Sequence, residues 1–252
     1  MAETILKVEK LTKSYSDQKV VKGISFEVKK GEIFGILGPN GAGKTTTLEM
    51  IETLRPIDSG KITVSGIDVQ TRPEEVKRII GVQPQTPAFQ DKQKLKEILE
   101  MFAATYGEKI DPMALLKEMS LEDKADSYAE SLSGGQRQRL SIAVALVHDP
   151  LVFFLDEPTT GLDPQARRNL WELIEAVRDR GVTVIMTTHY MDEAELLCDR
   201  VAVMDNGKII SLDTPSNLIK NLVKKGFKKE IPAEAANLED VFIDLTGKAL
   251  RD

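Results

Sequence analysis

The stretch Phe34-Gly35-Ile36-Leu37-Gly38-Pro39-Asn40-Gly41-Ala42-Gly43-Lys44-Thr45 decides the fold of this chain. Its first four residues form a short apolar run that predicts a buried strand, and the rest follows the spacing G-x-x-x-x-G-K-T. Glycines are needed at this spacing because successive backbone N–H groups must turn inward around phosphate oxygens, where a Cβ would obstruct them. The pattern predicts a phosphate-binding loop (P-loop) between a strand and a helix. An accidental glycine-rich turn is the alternative.

The end of this loop predicts the contacts to a nucleotide. A helix that starts here presents unpaired N–H groups and a positive partial charge, which favour an anion. Lys44 is expected to reach the β- and γ-phosphates, and the Thr45 hydroxyl to bind Mg²⁺. The predicted phosphate-binding residues are Gly38, Pro39, Asn40, Gly41, Ala42, Gly43, Lys44, Thr45 and Thr46.

A second glycine motif lies far downstream, and its place among other motifs gives it meaning. By itself Leu132-Ser133-Gly134-Gly135-Gln136 is also ordinary helix-start chemistry. The other motifs are, in chain order, Gln85 before it and then the strand-like Leu151-Val152-Phe153-Phe154-Leu155, Asp156-Glu157, Thr160-Gly161-Leu162-Asp163 and His189. With the P-loop, this order resembles the ATP-binding subunits of ABC transporters, from about Ile5 to about Asp213.

The resemblance implies an enzyme that hydrolyses ATP and drives transport through separate integral membrane permease subunits. It also implies a cytoplasmic protein held peripherally at the membrane by those subunits. The expected fold class is α/β: a P-loop ATPase core with a mostly parallel sheet, an N-terminal antiparallel β subdomain and an inserted helical subdomain.

Sequence patterns divide the chain into regions that agree with this fold. Over about residues 5–36, strand-like segments alternate with polar turns, which suits an antiparallel sheet. From Thr46 onward, helices alternate with strands, which implies a parallel sheet. A helical insert covers about residues 86–146. We expect an ATPase domain over residues 1–213 and a short helical tail over residues 214–252.

Composition limits the function further. The 252 residues are 41% hydrophobic, enough for one large domain. No segment approaches the roughly 18 to 20 uninterrupted apolar residues that span a bilayer, and Met1-Ala2-Glu3-Thr4 does not begin a signal peptide, so we expect a cytosolic protein. Cys198 is the only cysteine, which excludes an intrachain disulfide. The net charge of −6 argues against a general nucleic-acid surface, and we expect no nucleic-acid partner.

Two carboxylates and a histidine form the predicted catalytic group. Asp156 ends a buried strand, where its oxygens suit Mg²⁺ bound to ATP. Glu157 is expected to polarise the attacking water or take its proton. His189 follows a strand, where a neutral imidazole could donate to the γ-phosphate. The alternatives are that the carboxylates only end a strand and that His189 is structural, as we expect for His148.

Two further site residues depend more on the resemblance. Gln85 could bring its amide to Mg²⁺ or to the attacking water, and the family aligns the glutamine that follows a proline, which favours Gln85 over Gln83. The family also implies an aromatic ring against adenine at Tyr15. The alternative is that Tyr15 packs locally at a strand end.

The second glycine motif predicts a two-chain site. Its cofactor-binding residues are Ser133, Gly134, Gly135 and Gln136. One face of the nucleotide already lies on the P-loop, so we expect the motif of one subunit to cover the γ-phosphate held by Lys44 of a second, identical subunit. ATP would close this homodimer and hydrolysis would open it, with Asp163 crossing the interface. The alternative is that the glycines only form an internal helix cap.

The direction of transport rests on weaker signals. The segments Thr188–Glu195 and Leu238–Gly247 resemble the drug, antibiotic and lipid efflux branch, so we expect export. Pro87-Ala88-Phe89 offers apolar surface without an obvious internal partner, which predicts a docking surface for the membrane subunit. A tail cluster of Lys220, Lys224, Lys225, Lys228 and Lys229 predicts a solvated helix face, with anionic lipid as the alternative. Alternative functions are an importer ATPase and a soluble ATPase of the same superfamily in DNA repair or translation.

Overall fold

The computed structural model of the chain describes residues 3–90, 92–227, 241 and 243–245. Its larger sheet contains β3 (Ile33–Leu37), β6 (Ile80–Gln83), β7 (Val152–Asp156), β8 (Thr183–Thr188), β9 (Arg200–Asp205) and β10 (Lys208–Asp213). Its smaller sheet contains β1 (Thr4–Tyr15), β2 (Gln18–Lys29), β4 (Ser59–Val64) and β5 (Ile67–Asp68).

The larger sheet has the strand order β10-β9-β3-β8-β7-β6. Neighbouring strands are parallel from β9 to β6, and only the edge strand β10 is antiparallel to its neighbour. The predicted α/β class with a mostly parallel sheet is therefore confirmed. The carboxyl ends of β3, β7 and β8 meet at one edge of the sheet, where the motifs that follow them come together.

Apolar residues on both faces of the central strands explain why they are buried. In β3, Ile33 and Leu37 point into one hydrophobic core, whereas Phe34 and Ile36 point into a second core on the opposite face. This alternation follows from the two-residue period of a strand. A parallel strand covered on both faces has to be apolar throughout, which is the pattern that the run before the P-loop predicted.

The smaller sheet is antiparallel, with the order β2-β1-β4-β5. The predicted extent of this sheet, residues 5–36, was wrong at two points. β3 lies inside that range but joins the parallel sheet, because it is apolar on both faces. β4 and β5 come after the P-loop helix but complete the antiparallel sheet, with Ile62 and Val64 of β4 turned toward the core.

The helices are α1 (Lys44–Ile51), α2 (Pro73–Lys77), α3 (Leu95–Tyr106), α4 (Pro112–Glu118), α5 (Gly134–Leu146), α6 (Pro164–Asp179), α7 (Met191–Leu197) and α8 (Pro215–Lys224). Short 3₁₀ turns cover Glu122–Lys124 and Ala129–Ser131. Helices α3 to α5 and both turns lie within the predicted insert. The Asp111 carboxylate caps α4 by accepting from the Met113 N–H at 3.0 Å, and Pro112 takes the first helical position.

The insert shares its hydrophobic core with the larger sheet. Leu99 of α3 and Leu140 of α5 belong to the same buried cluster as Phe153 of β7. Phe89 is half-buried and packs against this cluster. The expectation that Phe89 lacks an internal partner was therefore wrong, because the α3–α5 core extends under the loop that carries it. The insert boundaries at about 86 and 146 stay a prediction.

The chain after β10 begins with an amphipathic helix. Thr214 caps α8, and Leu218 and Leu222 are buried. Lys220, Lys224 and Lys225 are exposed, whereas Lys228 and Lys229 lie outside the described residues. The Leu238–Gly247 segment of the predicted helical tail falls mostly outside them as well. Among the helices of the described residues, none is long and apolar enough to cross a bilayer.

Candidate active site

The P-loop connects β3 to α1, and two of its glycines are required by their surroundings. A Cβ at Gly38 would lie 2.1 Å from the carbonyl oxygen of Met204, so even alanine cannot fit. Gly43 has a φ of 101°, a left-handed conformation that side chains disfavour, and a Cβ there would lie 3.0 Å from the carbonyl oxygen of Val20. The loop is thus packed against β2 and β9, and this packing holds its backbone in place.

Lys44 is buried at the start of α1, with 4% of its surface exposed. Its ammonium donates to the carbonyl oxygens of Gly38 at 2.9 Å and Pro39 at 3.2 Å. It also pairs with Oε1 of Glu157 at 3.0 Å. An ammonium has three N–H donors, so a phosphate oxygen that binds Lys44 has to compete with one of these partners. The Glu157 carboxylate is the partner whose side chain can move.

Asp156 and Thr45 form the oxygen pair that suits a hard cation. Asp156 ends β7, and its Oδ1 accepts from the Thr45 hydroxyl at 3.3 Å and from the Thr187 hydroxyl. Burial is the main cause that raises the pKa of the Asp156 carboxyl above its usual range. Among the described residues, no cluster of three or more His, Cys, Asp or Glu side chains could hold a metal ion. Further ligands of a metal at Thr45 and Asp156 would therefore be other oxygen groups, such as the Gln85 amide, the substrate or water.

The Glu157 carboxylate contacts side chains from three other segments of the chain. Its Oε2 lies 3.1 Å from Nδ1 of His189 and accepts from the Gln85 amide at 3.4 Å, while Oε1 faces Lys44. Its φ of 47° is unusual for a residue with a side chain. The Glu157 N–H donates to the Thr187 carbonyl at 3.2 Å and to the Thr187 hydroxyl at 3.0 Å, which stabilises this conformation.

The contact between His189 and Glu157 limits what the imidazole can do. The expected role was a neutral ring that donates to a γ-phosphate. A neutral imidazole carries one N–H, so a ring that donates Nδ1–H to Glu157 presents only a lone pair at Nε2. Donation to a phosphate then requires either a second proton on the ring or a broken bond to Glu157.

These side chains face one cavity of about 480 Å³ beside the P-loop. Its lining residues are Val20, Asn40, Gly41, Gly43, Lys44, Thr45, Thr46, Gln85, Glu157, Thr160 and His189. The structure places Gln85, and not the fully buried Gln83, at this cavity. Thr160 lines the cavity, and the Thr187 hydroxyl contacts the Asp156 carboxylate and the Glu157 N–H, yet neither threonine was predicted as a site residue. The signal for Thr187 is a polar residue at the end of an apolar strand.

Tyr15 lies at the end of β1 and is 39% exposed. It is absent from the residues that line the cavity. The Arg55 guanidinium lies 5.6 Å from the centre of the Tyr15 ring, and Arg55 is itself paired with Glu49 of α1. The ring is thus linked to the P-loop helix by a cation–π contact.

The second glycine motif lies in a different cleft, of about 220 Å³. Its lining includes Ser133, Gly134, Gly135, Gln136 and Asp163. The Ser133 hydroxyl accepts from the Gln136 N–H at 3.3 Å, and the Gln136 side chain accepts from the Ser133 N–H at 3.0 Å, which is a capping box. Asp163 caps α6 by accepting from the Gln165 and Ala166 N–H groups, both at 2.9 Å. One chain therefore does not bring this motif to its own P-loop.

Comparison with known proteins identifies the family of this chain. Residues 21–160 match the ABC transporter family. The linearmycin resistance ATP-binding protein LnrL of Bacillus subtilis is 42% identical over 86% of this chain and 72% of that protein. The Nod factor export ATP-binding protein I of Burkholderia orbicola is 38% identical over 95% of this chain and 96% of that protein.

Solved structures give the same result. An ATP-binding subunit of an ABC transporter has a TM-score of 0.83 and 29% identity over 96% of this chain and 99% of that one. The cbiO1 protein of Clostridium perfringens, part of the ABC transporter complex cbiONQ, has a TM-score of 0.77 and 33% identity over 88% of this chain and 94% of that one. The chain belongs to the ABC transporter family, as an ATP-binding subunit that hydrolyses ATP to power transport.

Proposed function

We propose that ATP binds in the cavity beside the P-loop, with its phosphates on the loop backbone and on Lys44. The observation that carries this proposal is the convergence on Glu157 of side chains from three other segments. Lys44, Gln85 and His189 all lie within 3.4 Å of its carboxylate. The adenine would stack on Tyr15, whose ring is held by Arg55.

Mg²⁺ fits the oxygen atoms of Thr45 and Asp156, with the Gln85 amide as a third candidate ligand. The Asp156 carboxylate is buried, and a cation beside it would favour its charged form. Bound there, Mg²⁺ supplies positive charge that offsets the charge of the β- and γ-phosphates. The protein's own part is to hold these oxygens together, through the Thr187 hydroxyl that contacts Asp156.

Glu157 is the proposed general base. A phosphate that takes Lys44 frees the Glu157 carboxylate, which can then accept a proton from the attacking water. Once the freed carboxylate turns to the water and releases Nδ1 of His189, the imidazole can turn its N–H to the γ-phosphate. ATP binding and activation of the base are therefore linked through the Lys44–Glu157 pair.

The site requires a second copy of the chain to be complete. The capped N-terminus of α5, with Ser133, Gly134 and Gly135, faces a cleft separate from the P-loop. In a symmetric pair, this helix end of one subunit would cover the γ-phosphate bound to the other. Loss of the γ-phosphate would remove that contact, and Asp163 would connect the two sites. The pair closes on ATP and opens after hydrolysis.

The proposed process is export through separate membrane permease subunits on the cytoplasmic side of a membrane. Similarity to proteins named for Nod factor export and linearmycin resistance supports export over import. The proposed ATPase domain covers residues 1–213, with the insert at about 86–146, followed by the tail of residues 214–252.

The Glu157→Gln variant tests this function. The amide keeps the shape of the side chain but cannot accept a proton, so we expect ATP binding to survive while hydrolysis falls by about 10²-fold or more. The measurements are the steady-state rate of phosphate release and an ATP titration. Hydrolysis at the parental rate would remove Glu157 from its assigned role.

Lys44→Ala is the matched variant for binding. Loss of the Lys44 ammonium removes a charge-assisted contact to the phosphates, so the ATP titration should shift to much higher concentration. The two variants therefore separate binding from chemistry. An unchanged titration of Lys44→Ala would contradict the proposed phosphate site.

A further inference from the structure

Arg167 lies one turn into α6 and reaches across to the segment that carries His189. Its guanidinium carbon lies 4.3 Å from the centre of the Tyr190 ring, which is the geometry of a cation–π contact. It also pairs with Asp192, at 3.6 Å from Nη1 to Oδ2. Its Nε atom is buried and has no hydrogen-bond partner within the described part of the chain. The Tyr190 ring and the Asp192 carboxylate are therefore the contacts that orient this side chain.

Tyr190 continues this contact to the site. The rings of Tyr190 and His189 lie 4.1 Å apart between centres, tilted by 40°. His189 in turn places Nδ1 at 3.1 Å from Oε2 of Glu157. An unbroken series of contacts thus runs from Arg167 to the proposed general base. Each ring in the series is packed on one side by the preceding group.

A second contact from the same face of α6 holds the other end of this segment. Trp171 follows Arg167 by one helical turn, and its indole N–H donates to Oε1 of Glu193 at 3.1 Å. Glu193 is fully buried. Trp171 and Glu193 thus position the start of α7 while Arg167 contacts Tyr190. The Arg167 contact leads to the His189 ring through the Tyr190 ring.

We propose that Arg167 is a positioning residue for ATP hydrolysis, which sets the orientation of His189 through the Tyr190 ring. The proposal rests on the proposed role of His189 in the site. Because Asp163 caps α6 and lines the cleft of the second glycine motif, a shift of α6 would move Arg167 and with it the two rings. Through this contact, the proposed pairing of two chains would change the orientation of the His189 imidazole.

Kinetic comparison of matched variants tests the positioning role. In Arg167→Met the stem stays and the cation is lost, so we expect kcat to fall about 10-fold with KM for ATP unchanged, since only the geometry of the reacting groups is affected. Arg168→Met removes the same charge from an exposed neighbour on α6 and should leave kcat as it is. Asp192→Asn breaks only the ion pair and should also leave kcat unchanged.

Two more variants separate positioning from folding. Tyr190→Phe retains the ring and should keep kcat, whereas Tyr190→Leu should lower it as Arg167→Met does, with the melting temperature of each variant as the folding control. In the His189→Ala background, Arg167→Met should cause no further loss in single-turnover rate. An equal loss with and without His189 would overturn the proposal, as would an unchanged kcat in Arg167→Met.

NMR gives a direct readout that does not depend on activity. The chain has two histidines, so the ring signals of His189 and His148 can be told apart in tag-free protein. Arg167→Met should shift the His189 ring signals and leave those of His148 in place, and Arg168→Met should shift neither. Unmoved His189 signals would overturn the proposal. Full activity of His189→Ala would instead overturn the proposed role of His189, and the NMR comparison would still decide whether Arg167 positions the ring.

Discussion

Asp156 and Glu157 are adjacent carboxylates that the fold directs to different partners. Asp156 accepts from the hydroxyls of Thr45 and Thr187. These hydroxyls are uncharged and have oxygen lone pairs, so a cation can lie beside them. Glu157 faces Lys44 and the other N–H donors at the cavity. The positive φ of Glu157 turns its side chain away from the direction that a regular strand would give. Separate environments for neighbouring carboxyls allow one to hold a metal while the other accepts a proton.

A third carboxyl, Glu52, lies buried behind this pair at the end of α1. Only 5% of its surface is exposed. Burial first, and then the charges of Asp156 and Glu49, raise the pKa of Glu52 to about 8. The folded protein therefore holds this proton more tightly than the unfolded chain, in which the pKa is near 4.5. The stability that Glu52 contributes is complete below that value and is lost as the pH rises through about 8.

We expect Glu52→Gln to melt at the parental temperature at pH 5 and at a temperature about 4 °C or more higher at pH 9. The amide resembles the protonated carboxyl but cannot ionise, so the variant escapes the loss at high pH. Thermal unfolding of nucleotide-free protein across this pH range is the measurement. Glu100→Gln, on the exposed face of α3, is the control and should show no such trend. An equal effect of both variants at pH 9 would exclude burial of Glu52 as the cause.

Contiguous motifs made most of the candidate site predictable, since a P-loop spacing defines a backbone path and Asp156-Glu157 follows an apolar strand. Contacts between distant segments were not predictable. Thr187 belongs to the site because β8 lies beside β7 in the sheet, and that neighbour relation has no local signal. Tyr15 was placed by resemblance alone, and its role at adenine stays a prediction.

At the scale of elements, strands that are apolar on both faces were easier to place than strands with one exposed face. All five residues of β3 are buried. The first three residues of β4 (Ser59–Val64) are instead exposed. Which sheet such a strand joins is decided by a distant partner, because β4 pairs with β1 across more than 40 intervening residues. Sequence periodicity reports burial, but it does not report which strand lies next to which.

His148 follows α5 and contacts β6 and α3, and it makes the folded protein less stable at low pH. Its Nε2 lies 2.9 Å from the carbonyl oxygen of Ile80 in β6, and its ring stacks on Tyr106 of α3 at 3.8 Å between centres. Its Nδ1 is buried without a hydrogen-bond partner among the described residues. Burial lowers the pKa of the His148 imidazole below its usual 6.5. The expectation that His148 is structural fits this packing.

Because the unfolded chain takes up the His148 proton first, stability is lost as the pH falls through about 6.5 toward the lower folded-state pKa. We expect His148→Gln, whose amide N–H can still reach Ile80, to melt earlier than the parent at pH 8 because the stacking is lost. Its melting temperature should fall less than that of the parent between pH 7.5 and 5.5. Parallel curves for the two proteins would show that His148 does not titrate with unfolding.

At the scale of the whole molecule, the separation of the two clefts predicts how pairing can be blocked. Ser133 is exposed at the start of α5, where a partner's γ-phosphate would meet small side chains and free N–H groups. In Ser133→Arg a bulky cation fills this space, so pairing should fail while one chain still binds ATP. Sedimentation of Glu157→Gln protein with ATP, with and without Ser133→Arg, is the measurement.

Ser133→Ala is the control for that experiment, because it removes the cap of α5 without adding bulk or charge. Loss of an N-cap costs about 1 kcal/mol, which should lower the melting temperature of both Ser133 variants slightly. Pairing by Ser133→Ala should therefore exceed pairing by Ser133→Arg. A pair that forms equally well in Ser133→Arg rules out the shared site.

A groove between the Gln85 loop and the start of α5 links the site to the outer surface of the insert. It has a volume of about 220 Å³ and is lined by Pro87, Ala88, Phe89, Ala129, Glu130 and Arg137. The loop that forms one wall begins at Gln85, which contacts Glu157 at its other end. A segment of a membrane subunit seated here would move with this loop. Phe89→Asp would be an ambiguous test of this groove, because Phe89 is half-buried and a buried unpaired charge lowers stability by itself.

Ala88→Asp is the sharper variant, because Ala88 is exposed in the groove and a carboxylate there stays hydrated in the isolated subunit. We expect it to keep its melting temperature and basal ATPase rate while copurification with the membrane permease subunits and ATP-driven transport are lost. Phe89→Asp should lose copurification too, but with earlier melting of the isolated subunit. Ala104→Asp places the same charge on exposed α3, away from the groove lining, and should retain transport. Normal copurification of stably folded Ala88→Asp would reject the groove as the docking surface, whereas failure of Ala104→Asp as well would indicate that added charge anywhere on the insert disturbs assembly.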